Sequence, residues 1–168
     1  YAVPNYQYTA NSRGFFIQKE LVDKYNFNLD AIKKYKDIEP ILEVIKNNEP
    51  QLIPFYYAGT SSFTIDYEDV VSFVRIKKGD TSLKVFGIPG SEVEKQEMLE
   101  QREWFNKGYI RSDILTVTDQ LSDTMANKFA VQFSNTSPGS DAALSNKLNK
   151  EYVSVTIEAP YLTARGGM

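Results

Sequence analysis

The stretch from Ile38 to Tyr57, "IEPILEVIKNNEPQLIPFYY", limits the folds open to this chain more than any other. Ile38, Ile41, Leu42 and Ile45 recur at i, i+3, i+4 and i+7, the stripe of an amphipathic helix. Pro40 is compatible with it because first-turn amides have no helical partners. Asp37 is placed to cap this helix, and Pro50 marks its exit. "QLIPFYY" (Gln51 to Tyr57) then has strand composition, and Pro54 inside it confines that strand to a sheet edge or a bulge. A helix handing over at once to a strand is the repeating unit of an α/β domain.

The same alternation runs along most of the chain. "RGFFIQ" (Arg13 to Gln18) predicts a short buried strand after a polar loop. "KELVDKY" follows as a brief helix with Leu21, Val22 and Tyr25 on one face. Asp66 to Ser72 fits helix or strand. "VSFVRI" and "SLKVF" flank "KKGDT", a hairpin signature in which Gly79 is free to take positive φ. Ser91 and Glu94 form a capping box that opens a helix running to Lys107, with Gly108 as its stop. Met98 and Phe105 share a face there with Trp104 beside it, an imperfect stripe that predicts a half-buried helix. "KFAVQF" (Lys128 to Phe133) is a strand. Ser137 and Pro138 then suit the N-cap and first position of a helix carrying Leu144 and Leu148. "EYVSVTIE" is a further strand, and "APYLTARGG" leaves it as a loop. The pattern predicts an α/β fold with a mixed sheet and one inserted β-hairpin.

Composition narrows the chemistry. The 168 residues, 42% hydrophobic and 24% charged, suit one globular domain. No apolar run approaches the roughly 18–20 residues of a membrane span. A net charge of -3 with scattered Lys and Arg argues against a nucleic-acid partner. The absence of cysteine excludes disulfides and thiolate chemistry, and the absence of histidine removes the usual general base. Together they argue against an enzyme, and no metal site or cofactor is expected. The opening "YAVP" and closing "RGGM" carry neither an initiator Met nor a signal peptide, which suggests a piece of a longer protein.

No phosphate loop, dinucleotide fingerprint or serine elbow is present. Glu92 and Glu94, and the group Asp66, Glu68 and Asp69, lie in polar surroundings that suit solvated faces or caps. What stands out is strand ends rich in aromatic and small polar groups. Tyr56 and Tyr57 end one strand. Ser134, Asn135 and Thr136 end another, within "AVQFSNTSPGSD". Glu158, Pro160 and Tyr161 end a third. Ligands of open α/β sheets bind outside the carboxyl ends of strands. The plain alternative for Ser134–Thr136 is a well-capped helix start. Tyr beside Gly, Ser and Asn suits sugars, because aromatic faces cover the apolar C–H face and amides and hydroxyls pair with the hydroxyl ring. Trp104, inside a helix, suits packing instead.

"YAVPNY", "GFFIQKELVDKYNFNL", "DIEPILEVIKNNEPQLIPF", "EMLEQREWFNKGYIRSDI", "FAVQFSNTSPGSDAAL" and "APYLTARGG" occur in an order that resembles the second lobe of bacterial extracellular solute-binding proteins of sugar-type ABC importers, in the lipoprotein group of the broad family 1. The resemblance spans nearly the whole chain. It implies a three-layer lobe of the periplasmic-binding-protein type II-like fold, with residues 1–168 forming one lobe of a two-lobed protein. "YAVP" would be the crossing into the lobe and "YLTARGG" the return. It also implies a non-catalytic binder of a small-molecule solute, an oligosaccharide, working with membrane ABC permease subunits from a lipid-anchored, extracytoplasmic position. In sugar-binding relatives the loop that holds Tyr56 and Tyr57 supplies aromatic contacts. Tyr6, Tyr8 and Tyr161 join the candidate set through their nearness to the hinge, alongside Ser134 and Asn135. Two rival readings are a protein-interaction module of a surface lipoprotein and a glycoside hydrolase using two carboxylates.

Overall fold

Strand β2 (Arg13–Gln18) is the middle of the main sheet, and its apolar run has a physical reason: it is flanked on both sides. The computed structural model describes residues 5–57, 67–71, 74–77, 80–82, 84–87, 89–157 and 161–167, with the backbone alone at 5–11, 67–71, 93 and 161–167. Residues 1–57 and 109–168 form one compact unit, and residues 58–108 form a second.

In the first unit, β1 (Asn5–Asn11) leads through Ser12 into β2, and helix α1 (Lys19–Tyr25) packs beside β2. A 3-10 turn (Tyr35–Ile38) precedes α2 (Glu39–Asn48), which packs along β3 (Ile53–Tyr56). The main sheet has the order β3, β7 (Phe129–Asn135), β2, β8 (Tyr152–Thr156). β2 runs antiparallel to both neighbours, while β3 and β7 are parallel, so the sheet is mixed as expected. β3 lies at the edge, where a proline is tolerated. Its Phe55 N–H donates to Tyr109 O at 3.0 Å.

Alternation along the strands sorts the core. Phe15, Phe55 and Phe133 gather around Tyr35, with ring centroids 5.5, 6.4 and 5.1 Å from it. The stripe Ile38, Ile41, Leu42 and Ile45, running from the 3-10 turn into α2, is buried, as its periodicity predicts. A second cluster joins Phe16 and Tyr152 to Leu148 and Leu144 of α5 (Ser140–Leu148). Gly14 in β2 is required by close approach. A Cβ there would strike the Val155 carbonyl and lie 2.8 Å from Thr156 Cα, both backbone atoms of β8.

Several local expectations change. Asp37 does not cap α2: its carboxylate accepts from Lys33 N (2.9 Å) and Lys34 N (2.7 Å) and closes the preceding 3-10 turn. Those two amides hold its pKa below the usual carboxylate range. Ser137 and Pro138 do not begin α5. Ser140 N donates to Ser137 O at 3.0 Å, and Gly139 has φ 82° and ψ 1°, the geometry of a type II turn with proline at its second position. The helix starts only at Ser140. "APYLTARGG" is not wholly a loop, because β9 (Tyr161–Gly167) pairs antiparallel with β1, itself expected as loop. Val22 and Tyr25 of α1 are only half-buried, so Leu21 alone anchors that face.

The second unit contains an antiparallel sheet in the order β4 (Tyr67–Val71), β5 (Val74–Lys77), β6 (Val85–Gly87). The hairpin signature is the β5–β6 pair, and the ambiguous Asp66–Ser72 stretch supplies β4. Gly79 lies outside the described residues. Helix α3 (Glu92–Asn106) is capped by Ser91 Oγ, which accepts from Glu94 N at 3.2 Å. Glu94 completes the cap one residue early, on Gly90 N (2.7 Å). Gly108, at φ 73°, follows the helix end as its stop. Trp104 is 2% exposed while Met98 and Phe105 remain partly open, so the helix is half-buried and the tryptophan is a packing residue.

A short helix α4 (Leu121–Met125) lies in the first unit, between Tyr109 and β7. No helix of the described residues is long and apolar enough to cross a membrane.

Candidate functional site

Strand direction brings Tyr56, Tyr57, Ser134 and Asn135 to one end of the main sheet. Register pairs Arg13 with Asn135, Gly14 with Ser134 and with Thr156, and Tyr56 with Gln132. The carboxyl ends of β3, β7 and β8 therefore meet the start of β2. Ser134 and Asn135 are exposed there, available to a ligand as hydroxyl and amide groups.

Thr136, the next residue, does something else. It is 2% exposed. Its N–H donates to Ser12 O at 2.9 Å, its carbonyl accepts from Ser12 Oγ, and its hydroxyl lies 2.9 Å from Thr156 Oγ1. Ile157 N donates to Arg13 O at 2.9 Å. These bonds fasten the strand ends together and leave Ser134 and Asn135 as the open part of the run.

Tyr56 and Tyr57 differ in environment. The Tyr56 ring packs edge-on against Phe129 at 4.9 Å, a core-type contact. Tyr57 is half-buried, and burial pushes its hydroxyl pKa above the ordinary tyrosine value. Its carbonyl accepts from Gln120 Nε2 at 2.7 Å across 63 positions of sequence. Sequence reasoning did not single out Gln120. It lies outside any periodic segment, and only the folded chain brings it to the end of β3.

Tyr6, Tyr8 and Tyr161 belong to the β1–β9 ladder. Tyr6 pairs with Gly166, Tyr8 with Ala164, and Tyr161 with Asn11. Tyr6 and Tyr8 share one parity of the ladder, and Tyr161 occupies a position of the other. Glu158 and Pro160 lie outside the described residues.

The acidic candidates are engaged in structural roles where they are described. Glu92 pairs with Lys95 at 3.0 Å and Glu94 caps α3. Among the described residues, no group of three or more acidic side chains gathers to hold a metal ion. A recess lined by Lys19, Glu20, Asp23, Lys150 and Glu151 is crossed by ion pairs, Lys19–Glu151 at 3.0 Å and Lys150–Glu20 at 2.6 Å, and offers no aromatic face.

No family model matches the chain. It is 26% identical, over 159 residues covering 90% of its length, to a carbohydrate ABC transporter substrate-binding protein of Streptococcus pneumoniae serotype 4, of which it covers 32%. Among solved structures, 95% of the chain superposes on 37% of the N-glycan transport solute binding protein NgtS from S. pneumoniae in complex with Man1GlcNAc, with a TM-score of 0.76 and 22% identity. The ABC-transporter substrate binding protein FusA of S. pneumoniae, in complex with fructo-nystose, matches with a TM-score of 0.62 and 16% identity over 94% of the chain and 34% of that protein. The chain thus spans about a third of the length of these relatives. Its α/β fold with a mixed sheet is that of part of a solute-binding protein, and the proteins it resembles are named as binders of substrate or solute.

Proposed function

We propose that this chain is the second lobe of a longer, two-lobed extracytoplasmic solute-binding protein of an ABC importer, that its ligand is an oligosaccharide, and that it performs no catalysis. The alignment of nearly the whole chain with a third of a carbohydrate ABC transporter substrate-binding protein carries this reading. The geometry supports it. β1 leads through Ser12 into β2 at the end of the main sheet where Ser134, Asn135 and Tyr57 lie, and β1 pairs with β9 as strands that connect two lobes would.

Ligand capture then follows from the chemistry of that edge. Tyr57 offers an aromatic face to the apolar side of a pyranose, and Ser134 and Asn135 pair with its hydroxyls. Tyr6, Tyr8 and Tyr161 approach the ligand from the connecting strands. Closure of a second lobe excludes water and selects the bound form. The loaded protein presents the sugar to membrane permease subunits, held at the cell surface by a lipid anchor outside these residues.

The test is Tyr57→Ala in the natural polypeptide containing this chain, titrated calorimetrically with neutral oligosaccharides. Removing one stacking face is expected to weaken binding at least ten-fold while leaving the unfolding midpoint nearly unchanged. Unchanged affinity would remove Tyr57 from the site.

A further inference from the structure

We infer that Gln120 is a positioning residue for the ligand edge: its side-chain amide fixes the end of β3 so that Tyr57 is held in its binding position. The inference rests on the proposed carbohydrate-binding role of Tyr57.

Three observations carry it. The Nε2 group of Gln120 donates to Tyr57 O at 2.7 Å. A carbonyl can only accept, so the amide has one possible orientation, nitrogen toward Tyr57 and oxygen away. The Oε1 atom that results is buried and has no hydrogen-bond partner among the described residues. An orphaned buried acceptor is destabilising, and such groups in native folds call for an explanation beyond stability. Here the amide gives up one hydrogen bond in order to hold one backbone carbonyl at the mouth of a strand.

Gln120 is itself held from behind. Its carbonyl accepts from Thr124 N and Thr124 Oγ1, both at 2.9 Å, which makes it the first residue gripped by α4. That helix is tied down through Asp123, which bonds Arg111 Nη1 and Lys128 Nζ, each at 2.7 Å. Arg111 also forks onto Asp113, with Nε–Oδ1 at 2.5 Å and Nη2–Oδ2 at 2.8 Å. Lys128 and Arg111 keep the Asp123 carboxyl below the usual range, so it stays ionised in this role at neutral pH. The tether runs from this ion network through α4 and Gln120 to Tyr57. Binding sites depend on such support, because a side chain free to wander costs affinity when it is fixed by the ligand.

Gln120→Met keeps the length of the side chain and removes the amide, the Nε2 donor together with the unpaired Oε1, and Gln120→Ala removes the whole reach. Two readouts are needed. In the ligand-free chain, NMR of the Tyr57 ring should show its resonances moving toward those of a free tyrosine in both variants, and its hydroxyl titrating closer to the ordinary value. In the natural polypeptide, the affinity for Man1GlcNAc should fall about five- to ten-fold in Gln120→Met, and by less than two-fold when Tyr57 is already alanine. Unmoved Tyr57 resonances would overturn the inference whatever the ligand. An equal loss in both backgrounds would also overturn it, since Gln120 would then act independently of Tyr57. If the resonances move but no glycan binds, the positioning stands and the carbohydrate reading falls.

Discussion

Glu49 ties α1 to the turn between α2 and β3, and protonating or neutralising it should loosen them in a calculable way. Its carboxylate accepts from Lys24 Nζ (2.5 Å), Tyr25 OH (2.6 Å) and Gln51 Nε2 (2.7 Å), joining α1 to the turn between α2 and β3. The residue is 6% exposed. Lys24, then Tyr25 and Gln51, lower its pKa from 4.5 to about 2. A folded-state pKa below the unfolded value means the stabilisation is complete above 4.5 and disappears as pH falls through about 2. The full difference corresponds to about 3 kcal/mol. The Lys24 side chain is 57% exposed, and screening by water and salt reduces this to about 1.5–2 kcal/mol. Glu49→Gln is therefore expected to cost about that much at pH 7, a midpoint shift of roughly 3–8 °C for a chain of this size. The cost should shrink toward zero as pH is lowered from 5 to 2. Urea unfolding at pH 7, 5 and 3 reads both features. A loss below about 0.3 kcal/mol, or one equal at pH 7 and pH 3, would refute the reasoning, because the carboxylate would then carry no linked stability.

Other substitutions separate structural from ligand-facing positions. Gly14→Ala drives a methyl into the β8 backbone at Val155 and Thr156, so it should cost about 3 kcal/mol or more, or prevent folding; an unchanged urea midpoint would contradict the β2–β8 register. Thr136→Val keeps the shape and removes the hydroxyl that meets Thr156 Oγ1, so a loss of about 1–2 kcal/mol is expected in the same assay. Ser134→Ala and Asn135→Ala lie on exposed positions and should change stability by less than about 0.5 kcal/mol while reducing oligosaccharide affinity several-fold; the reverse pattern would make them structural.

The parts of this fold legible in the sequence were those governed by local periodicity. The Ile38, Ile41, Leu42 and Ile45 stripe found its core, and Pro54 placed β3 at an edge because a missing N–H cannot serve an inner strand. Asp37 misled because a carboxylate can bond amides behind it as easily as ahead, and Lys33 and Lys34 were nearer. Ser137 misled because Pro138 and Gly139 answer first to turn geometry. The β1–β9 ladder is only weakly written in the sequence: Tyr6, Tyr8 and Ala10 alternate with Gln7 and Thr9, but they face Gly166, Ala164 and Leu162, a run too small to announce a strand. At the candidate site, the exposed Ser134 and Asn135 followed from composition at a strand end. Thr136 did not, since its partners Ser12 and Thr156 come from other strands. Gln120 is the clearest case, a side chain whose role exists only through a contact 63 residues away.

The central claim is tested most directly by calorimetric titration of the natural polypeptide containing this chain, beside the chain alone, with a panel of neutral oligosaccharides and short peptides. The account predicts that the longer polypeptide binds an oligosaccharide and that the isolated chain binds it at least about a hundred-fold more weakly, having lost the contacts and the closure of a second lobe. Low-micromolar glycan binding by the isolated chain would contradict the two-lobed trap. Silence across the sugars with a clear peptide signal would contradict the carbohydrate assignment itself.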